Sequence, residues 1–368
     1  MITYCSNIHP GESFNEIFNN LQTHFLSVKQ AVSPDQLFPI GLRLSNRAAF
    51  EIDEKTSAQF QGWCQERHFF IPTINGFSYG PFGSSPVKER VYLPDWRHFE
   101  RVIYTKRLAT LLDSWLPSGV KGSISTVPIG FGKHLDPADL RVVKKNLINV
   151  LEHLDHLRQK SDKAILLSLE PEPACYLETV KETIKFFEQM AFPEGLKKGL
   201  GICFDCCHQA VEFENPSKSL QLLSYAQIKI GKVQISSALR VDDFDRSVLE
   251  KFCDSVYLHQ VVIRQKDGRL IRYNDLPEAL VHHQAEPGEE WRIHFHVPIF
   301  INQMEGYGTT RFFLEEILPL LDRDILLEVE TYTWHVLPTE LQKETVTQSI
   351  IREMKWVRAK VDEENRCS

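Results

Sequence analysis

The feature that most narrows what this chain can fold into is its beat. Short apolar runs of strand length alternate with longer amphipathic stretches almost from end to end. Such alternation is βα punctuation, and it predicts a parallel sheet flanked by helices. Eight runs are expected as strands: residues 2–8, 38–44, 69–74, 121–127, 164–169, 201–205, 230–235 and 325–330. Over 368 residues, eight βα steps fit one α/β domain, a (β/α)8 TIM barrel covering residues 1–368 and carrying insertions. Ser13 with Glu16, and Thr179 with Glu182, have the spacing of capping boxes. Asp136-Pro137 opens a long helix through His153, His156 and Lys160. Further helices are expected through Trp63 and Cys64 and over residues 95–115, 308–321 and 339–361, with a polar tail at 362–368.

After the seventh strand the beat breaks. Residues 256–264 and 270–273 flank Lys266-Asp267-Gly268, which reads as a β-hairpin, and residues 291–297 form another apolar run with His294 and His296 on one face. These mark a hairpin and extra-strand insertion at about residues 241–300. The third strand runs into a long loop, residues 75–86, in which Phe77, Tyr79 and Phe82 make a solvated excursion the weaker reading.

Charge and cysteine content remove several function classes. A net charge of -7, with no long Lys/Arg block, argues against a nucleic-acid or membrane surface and for a small-molecule partner. No uncharged apolar run reaches the roughly 18 residues of a membrane span, and the first residues enter a strand without a basic leader, so a cytoplasmic location is expected. Eight cysteines spread over the chain fit reduced core residues. Cys203, Cys206 and Cys207 resemble part of a zinc ribbon, but no second pair follows at ribbon spacing.

The chemistry gathers at strand ends. In Gly201-Ile-Cys-Phe-Asp-Cys-Cys-His208, alternation turns Gly201, Cys203 and Asp205 to one face, with Asp205 at the carboxyl end, where barrel enzymes hold their reactive groups. The plainer alternative makes Asp205 a helix cap. Other strands end in the same way: Glu170 or Glu172 closes the fifth, His294 or His296 the added strand, and Glu328 or Glu330 the eighth, while Gln234 and Ser236 lie on the inner face of the seventh. A divalent metal ion accounts for bringing carboxylates and imidazoles to one rim, since unpaired buried carboxylates are costly, and this donor mixture suits Mn, Mg or Zn.

The order of Glu at one strand end, Asp-x-x-His at the next and Glu on the last resembles the xylose isomerase-like TIM-barrel superfamily of sugar isomerases, epimerases and type IV apurinic endonucleases. Four segments are more specific: Tyr4-Cys-Ser-Asn-Ile-His-Pro-Gly-Glu12, Phe204-Asp-Cys-Cys-His-Gln-Ala210, His294-Phe-His-Val-Pro298 and Leu327-Glu-Val-Glu-Thr-Tyr-Thr-Trp334. Together they are similar to the EboE family of metabolite traffic proteins, which implies a pathway that exports an aromatic or prenylated precursor, with other proteins of that pathway as possible partners, but no particular reaction. By position, the resemblance implies a metal set of Glu170, Asp205, the strand-seven residue and Glu330, with Glu172, His294 and Glu328 as rivals and His208 near the substrate. Gln234 stands where the epimerases have His, and His296 is the candidate to compensate, because the endonuclease branch also takes ligands after strand seven. Arg240 lies where epimerases hold substrate oxygens. His9, Asn75, Tyr79 and Trp334, within these segments or the long loop, complete the expected substrate contacts.

The resulting expectation is a metal-dependent isomerase or epimerase acting on a small hydroxy-carbonyl metabolite through an enediolate, with Glu170 and Glu330 as acid and base. Two rivals stand beside it. One is a binding or trafficking protein without turnover, to which Gln234 points; the other is multi-zinc hydrolysis of abasic DNA, which this acidic chain suits poorly.

Overall fold

The computed structural model describes residues 1–82 and 86–367, with side chains through residue 363. Eight parallel strands form the barrel: β1 (Ile2–Tyr4), β2 (Phe38–Arg43), β3 (Phe69–Asn75), β4 (Gly122–Thr126), β5 (Ile165–Leu169), β6 (Leu200–Asp205), β7 (Lys229–Ile235) and, far along the chain, a strand at Leu327–Val329. Nearly every residue of β2, β3, β4 and β6 is buried, as strands covered on both faces require. The strand at Leu327–Val329 sits between β1 and β7. Closure follows from the Cys5–Gly41 bridge beside β1 and β2. A Cβ at Gly41 would collide with the Tyr4 carbonyl and the Glu328 carboxylate, so the seam accepts only glycine there.

Between β7 and that last barrel strand lies a six-stranded antiparallel sheet made of β8 (Ser237–Val241), β9 (Val261–Arg264), β10 (Leu270–Tyr273), β11 (Glu290–Val297), β12 (Gln303–Met304) and β13 (Tyr307–Thr309). Its strand order is β10-β9-β11-β8-β13-β12, and the remaining barrel strand is therefore β14. The hairpin expected at Lys266-Asp267-Gly268 is present, with Gly268 at φ 88. Pairing of β11 with β8 slips between Ile293 and His296, a bulge that leaves His294 and Phe295 without a partner on β8. The slip falls where β11 crosses the carboxyl ends of the barrel strands.

Several expected boundaries move. The first strand stops at Tyr4, and a 3-10 turn at Ser6–Ile8 carries the chain inward while the Ser6 hydroxyl accepts from the Arg43 amide at 2.7 Å. The helix expected from residue 308 starts at Arg311, because Gly308 pairs with Arg240 in β13 and β8. The helix expected from residue 339 begins at Val346, after a 3-10 turn at Thr339–Leu341, and its backbone continues to Cys367 through what reads as a polar tail. The expected helix at 95 starts at Phe99. Both capping boxes and the Asp136 cap form as the spacing predicts.

Candidate metal centre

Asp205 ends β6 and serves two readings at once. Its Oδ1 caps the short helix Cys206–Val211 by accepting from the His208 amide at 2.9 Å, and also accepts from the Ser236 hydroxyl at 2.8 Å. Its Oδ2 is buried without a hydrogen-bond partner. Glu170, just beyond β5, and Glu330, just beyond β14, bring their carboxylates to the same place, where oxygens of all three groups lie within 4.8 Å of one another. Glu170 Oε2 is also buried and unpartnered. Glu330 Oε1 accepts from Asn7 Nδ2 at 2.8 Å and Asn75 Nδ2 at 3.2 Å, neither of which carries charge. Burial, with Asp205 and Glu172 nearby, pushes the Glu170 carboxyl up to about 8; burial, Glu170 and Asp205 push that of Glu330 well above the ordinary range. Three carboxylates this close resist ionising together unless a cation joins them.

Against this set stand three imidazoles. His208 Nε2 lies 3.0 Å from His294 Nε2, which lies 3.1 Å from His296 Nε2. The opposite ring nitrogens fix the tautomers. His208 Nδ1 faces the Pro171 carbonyl at 3.0 Å, His296 Nδ1 faces the Glu330 carbonyl at 2.8 Å, and His294 Nδ1 faces Gln260 Oε1 at 2.7 Å. The Gln260 amide is oriented because its nitrogen donates to Tyr92, Glu172 and the Pro173 carbonyl. Carbonyl oxygens only accept, so each Nδ1 carries a hydrogen, and in its neutral form each ring aims an Nε2 lone pair at the others. Burial, then His208 and His296, hold His294 well below its ordinary pKa, and burial takes His296 to about 4. For His208, burial acts downward, but Asp205, Glu172 and Glu170 together outweigh it and raise the pKa. Facing lone pairs at this spacing are what a cation with nitrogen ligands collects, since nitrogens on tetrahedral zinc stand about 3.3 Å apart.

The two sets overlap. Asp205, His208 and His296 form one further group of atoms within 4.8 Å, Glu172, His208 and His294 another, and Cys207 reaches His294 and His296. Glu172 Oε1 accepts from Tyr92 at 2.7 Å, and its Oε2 is a further buried, unpartnered oxygen. A divalent ion therefore fits the donors present.

Of the residues singled out in the sequence, the structure gathers Glu170, Glu172, Asp205, His208, His294, His296 and Glu330 around this pocket, with Asn75 at its wall. Glu328 does not join them; it sits deeper, fully buried and ion-paired to Lys232. Gln234 lies level with Asp205 on the neighbouring strand, accepts from the Cys203 thiol at 3.2 Å, and leaves its Nε2 without a partner. Arg240 is not brought to the pocket, because β8 turns it toward Asp242 (2.7 Å) and Glu290 (3.4 Å). His9 bonds the Tyr4 hydroxyl and stacks on His24, Tyr79 packs on Tyr104, and Trp334 is buried away from the lining. Sequence reasoning missed Asn7, Tyr92, Gln260, Tyr332 and Lys232. Lys232 had a usable signal, since it shares a strand face with Gln234 two residues on; the others lie on turns and loops.

The remaining wall of the pocket is largely apolar or aromatic, with Phe77, Phe82, Val87, Val91, Tyr257 and Tyr332. From the long third-strand loop, Phe77 and Phe82 line it, while residues 83–85 of that loop lie outside the described residues. Lys88 at the rim is engaged by Asp275 at 2.6 Å and by the Asp254 carbonyl.

Neither a protein-family model nor a curated protein sequence matches the chain. Solved structures do resemble it in fold. An L-ribulose 3-epimerase superposes with a TM-score of 0.54 at 10% identity, covering 100% of this chain and 95% of that one. The zinc-bound IolI protein gives 0.51 at 14% identity over 99% and 98%. A D-allulose 3-epimerase from Methylomonas sp., in complex with D-allulose, gives 0.52 at 10% identity over 98% and 96%. The fold is thus that of xylose isomerase-like TIM barrels, a likeness of architecture at this identity.

Proposed function

We propose that this chain is a divalent-metal-dependent isomerase or epimerase acting on a small hydroxy-carbonyl metabolite, on a single-domain barrel. The observation that carries the reading is the pairing of unpartnered carboxylate oxygens on Glu170, Asp205 and Glu172 with three imidazole lone pairs in one buried pocket. Glu170, Asp205 and Glu330 would hold one ion; His208, His294 and His296 offer nitrogen ligands for a second or for a shared position. Such an ion supplies a Lewis acid for adjacent hydroxyl and carbonyl oxygens.

The chain's own residues then do the rest. Glu170 and Glu330 approach from different strands, as groups that take a proton from one face of a carbon and return it to the other would have to do. Asn7 and Asn75 hold Glu330 through one oxygen, which leaves its Oε2 for ion or proton. The aromatic wall excludes water and suits a ligand with an apolar face; the engaged Lys88 ammonium suits an uncharged ligand better than a phosphate ester. The motif resemblance to the EboE family supports a role in metabolite traffic. No helix among the described residues is long and apolar enough to cross a membrane.

One observation favours a second reading, a metabolite-binding protein without turnover. Gln234 replaces an ionisable ligand with an amide whose oxygen is already taken by Cys203. The imidazole triad would also serve phosphodiester hydrolysis, but a chain of net charge -7 suits a DNA backbone poorly.

Metal analysis of the purified protein, followed by Glu170→Gln and Glu330→Gln, tests the proposal. Near-stoichiometric Mn, Mg or Zn is expected, with metal or ligand binding reduced in both variants. Protein free of any divalent ion, or variants that keep full metal content and ligand binding, overturns it. Incubation with candidate hydroxy-carbonyl compounds, following both binding and product, separates enzyme from carrier.

A further inference from the structure

Tyr332 follows Glu330 by two residues and opens the 3-10 turn Tyr332–Val336, where no strand periodicity places it. Its hydroxyl stands 3.3 Å from His294 Nε2, and its ring lies against His296 with centroids 4.5 Å apart. On other sides Phe82 at 5.2 Å and Tyr257 at 5.0 Å hold the ring, so the hydroxyl is fixed over the imidazole triad. Tyr332 is also part of the pocket wall. A phenol hydroxyl donates one hydrogen, and here the acceptor is the same lone pair that the proposed ion would use. Once that lone pair is occupied, this part-buried hydroxyl has to find another acceptor.

We propose that the Tyr332 hydroxyl is the hydrogen-bond donor to the oxygen of the hydroxy-carbonyl ligand that lies beside His294 and His296. This rests on the metal-dependent reading above and assigns the residue that orients the ligand at the imidazole end of the pocket. The rings of Phe82 and Tyr257 set the direction of the donor, so that Tyr332 takes no part in proton transfer at carbon, which stays with Glu170 and Glu330.

Acetohydroxamate, which carries adjacent carbonyl and hydroxyl oxygens, is a suitable probe. Calorimetry of the Zn2+-loaded protein with this probe, compared with Tyr332→Phe, reads the contact without turnover. The variant should keep its Zn2+ stoichiometry and bind acetohydroxamate about tenfold more weakly, the scale of one hydrogen bond. Unchanged affinity with Zn2+ retained, as when the hydroxyl turns to Glu172 instead, overturns the Tyr332 assignment and leaves the metal reading standing. Loss of Zn2+ in the variant also overturns it, because Tyr332 would then act on the ion. Wild-type protein that takes up none of Mn2+, Mg2+ and Zn2+ overturns both, and Zn2+-loaded wild-type protein that ignores the probe overturns the Tyr332 assignment. Should Tyr332→Phe fail to fold, fluorotyrosine placed at position 332 of the full chain gives a second measurement. Its fluorine resonance should shift when acetohydroxamate is added to Zn2+-loaded protein, and an unmoved resonance overturns the proposal.

Discussion

Glu328 and Glu330 leave one strand on the same face, two residues apart, yet they lie in different layers of the barrel. Glu328, in the lower layer, meets the Lys232 ammonium across the β7–β14 pair, and both side chains are completely buried. Burial works to discharge Lys232, and Glu328 outweighs it and holds that lysine above its ordinary pKa. Glu330, in the upper layer, meets two amides and two further acids, Glu170 and Asp205. The lower layer balances its own charge and is a piece of structure. The upper layer is left short of positive charge on the side that opens to the pocket, and that is where a ligand ion has a physical reason to sit.

Breaking the lower layer should have the largest effect on stability. Lys232→Met leaves Glu328 buried beside no cation, and removal of one partner of a buried pair costs about 3–5 kcal/mol. Urea unfolding at pH 7 should show this loss, and the double change Lys232→Met with Glu328→Leu should recover most of it. A single variant as stable as the parent would mean that the lower layer is not self-balanced in the way described.

Glu353 supplies a third kind of buried carboxylate, with hydrogen bonds but neither a cation nor fellow ligands. From the closing helix Val346–Cys367 its Oε1 accepts from the Thr331 hydroxyl at 2.7 Å and the Ile299 amide at 3.1 Å. Burial pushes its carboxyl up to about 7 from the ordinary 4.5. The folded state then binds more protons than the unfolded state between these values, so stability falls as pH rises through that window. Glu353→Gln keeps an accepting oxygen and removes the ionisation; it should gain on the order of 3 kcal/mol at pH 8 and flatten the slope between pH 4.5 and 7. Unlike the rim acids, its effect should be the same with and without divalent metal. A pH slope identical to the parent's would remove Glu353 from the comparison.

For the upper layer the sign depends on the ion. Glu330→Gln should weaken metal binding by about 10–100-fold, roughly 1.4–2.7 kcal/mol, while leaving the chelator-treated protein as stable as the parent or more so at pH 8, because one uncompensated carboxylate is gone. Thermal unfolding with EDTA and with Zn2+ checks both halves. Destabilisation of the metal-free form would show that Glu330 belongs with Glu328 as a structural acid.

How much of this could be read from the sequence follows the same division. Strand ends were legible, because period-two alternation sets which residues face inward and the last apolar residue sets their height; Asp205 and the pairs Glu170 or Glu172 and Glu328 or Glu330 came from that logic. It could not choose between Glu328 and Glu330, because Glu328 pairs in register with Gln234 and only the side chain of Lys232, two residues earlier on β7, reaches its carboxylate. His294 and His296 were legible as a strand face, but the bulge that lets both reach His208 depends on pairing with β8. Asn7, Tyr92, Gln260 and Tyr332 lie on turns and loops whose path tertiary packing sets, so spacing gave no direction for them. The first-strand boundary moved for the same reason, since Ile8 reads as strand while Ser6 is held by Arg43 from β2.

The smallest expected effect concerns Arg240, which positional analogy put beside the substrate. That analogy counts residues from Gln234 and assumes that the chain continues along the barrel rim. Instead β8 begins at Ser237 in the middle of the added sheet, and Arg240 pairs across it with Arg292 and Gly308. Its guanidinium packs over Phe312 at 5.5 Å and bridges Asp242 and Glu290, a third exposed. Half-exposed ion pairs contribute about 0–1 kcal/mol, so Arg240→Ala should cost no more than that in urea. It should leave Zn2+ stoichiometry and acetohydroxamate affinity at the parent's values, in contrast to Glu330→Gln. A tenfold loss of either would bring Arg240 back to the site and require the added sheet to swing over the pocket when ligand binds.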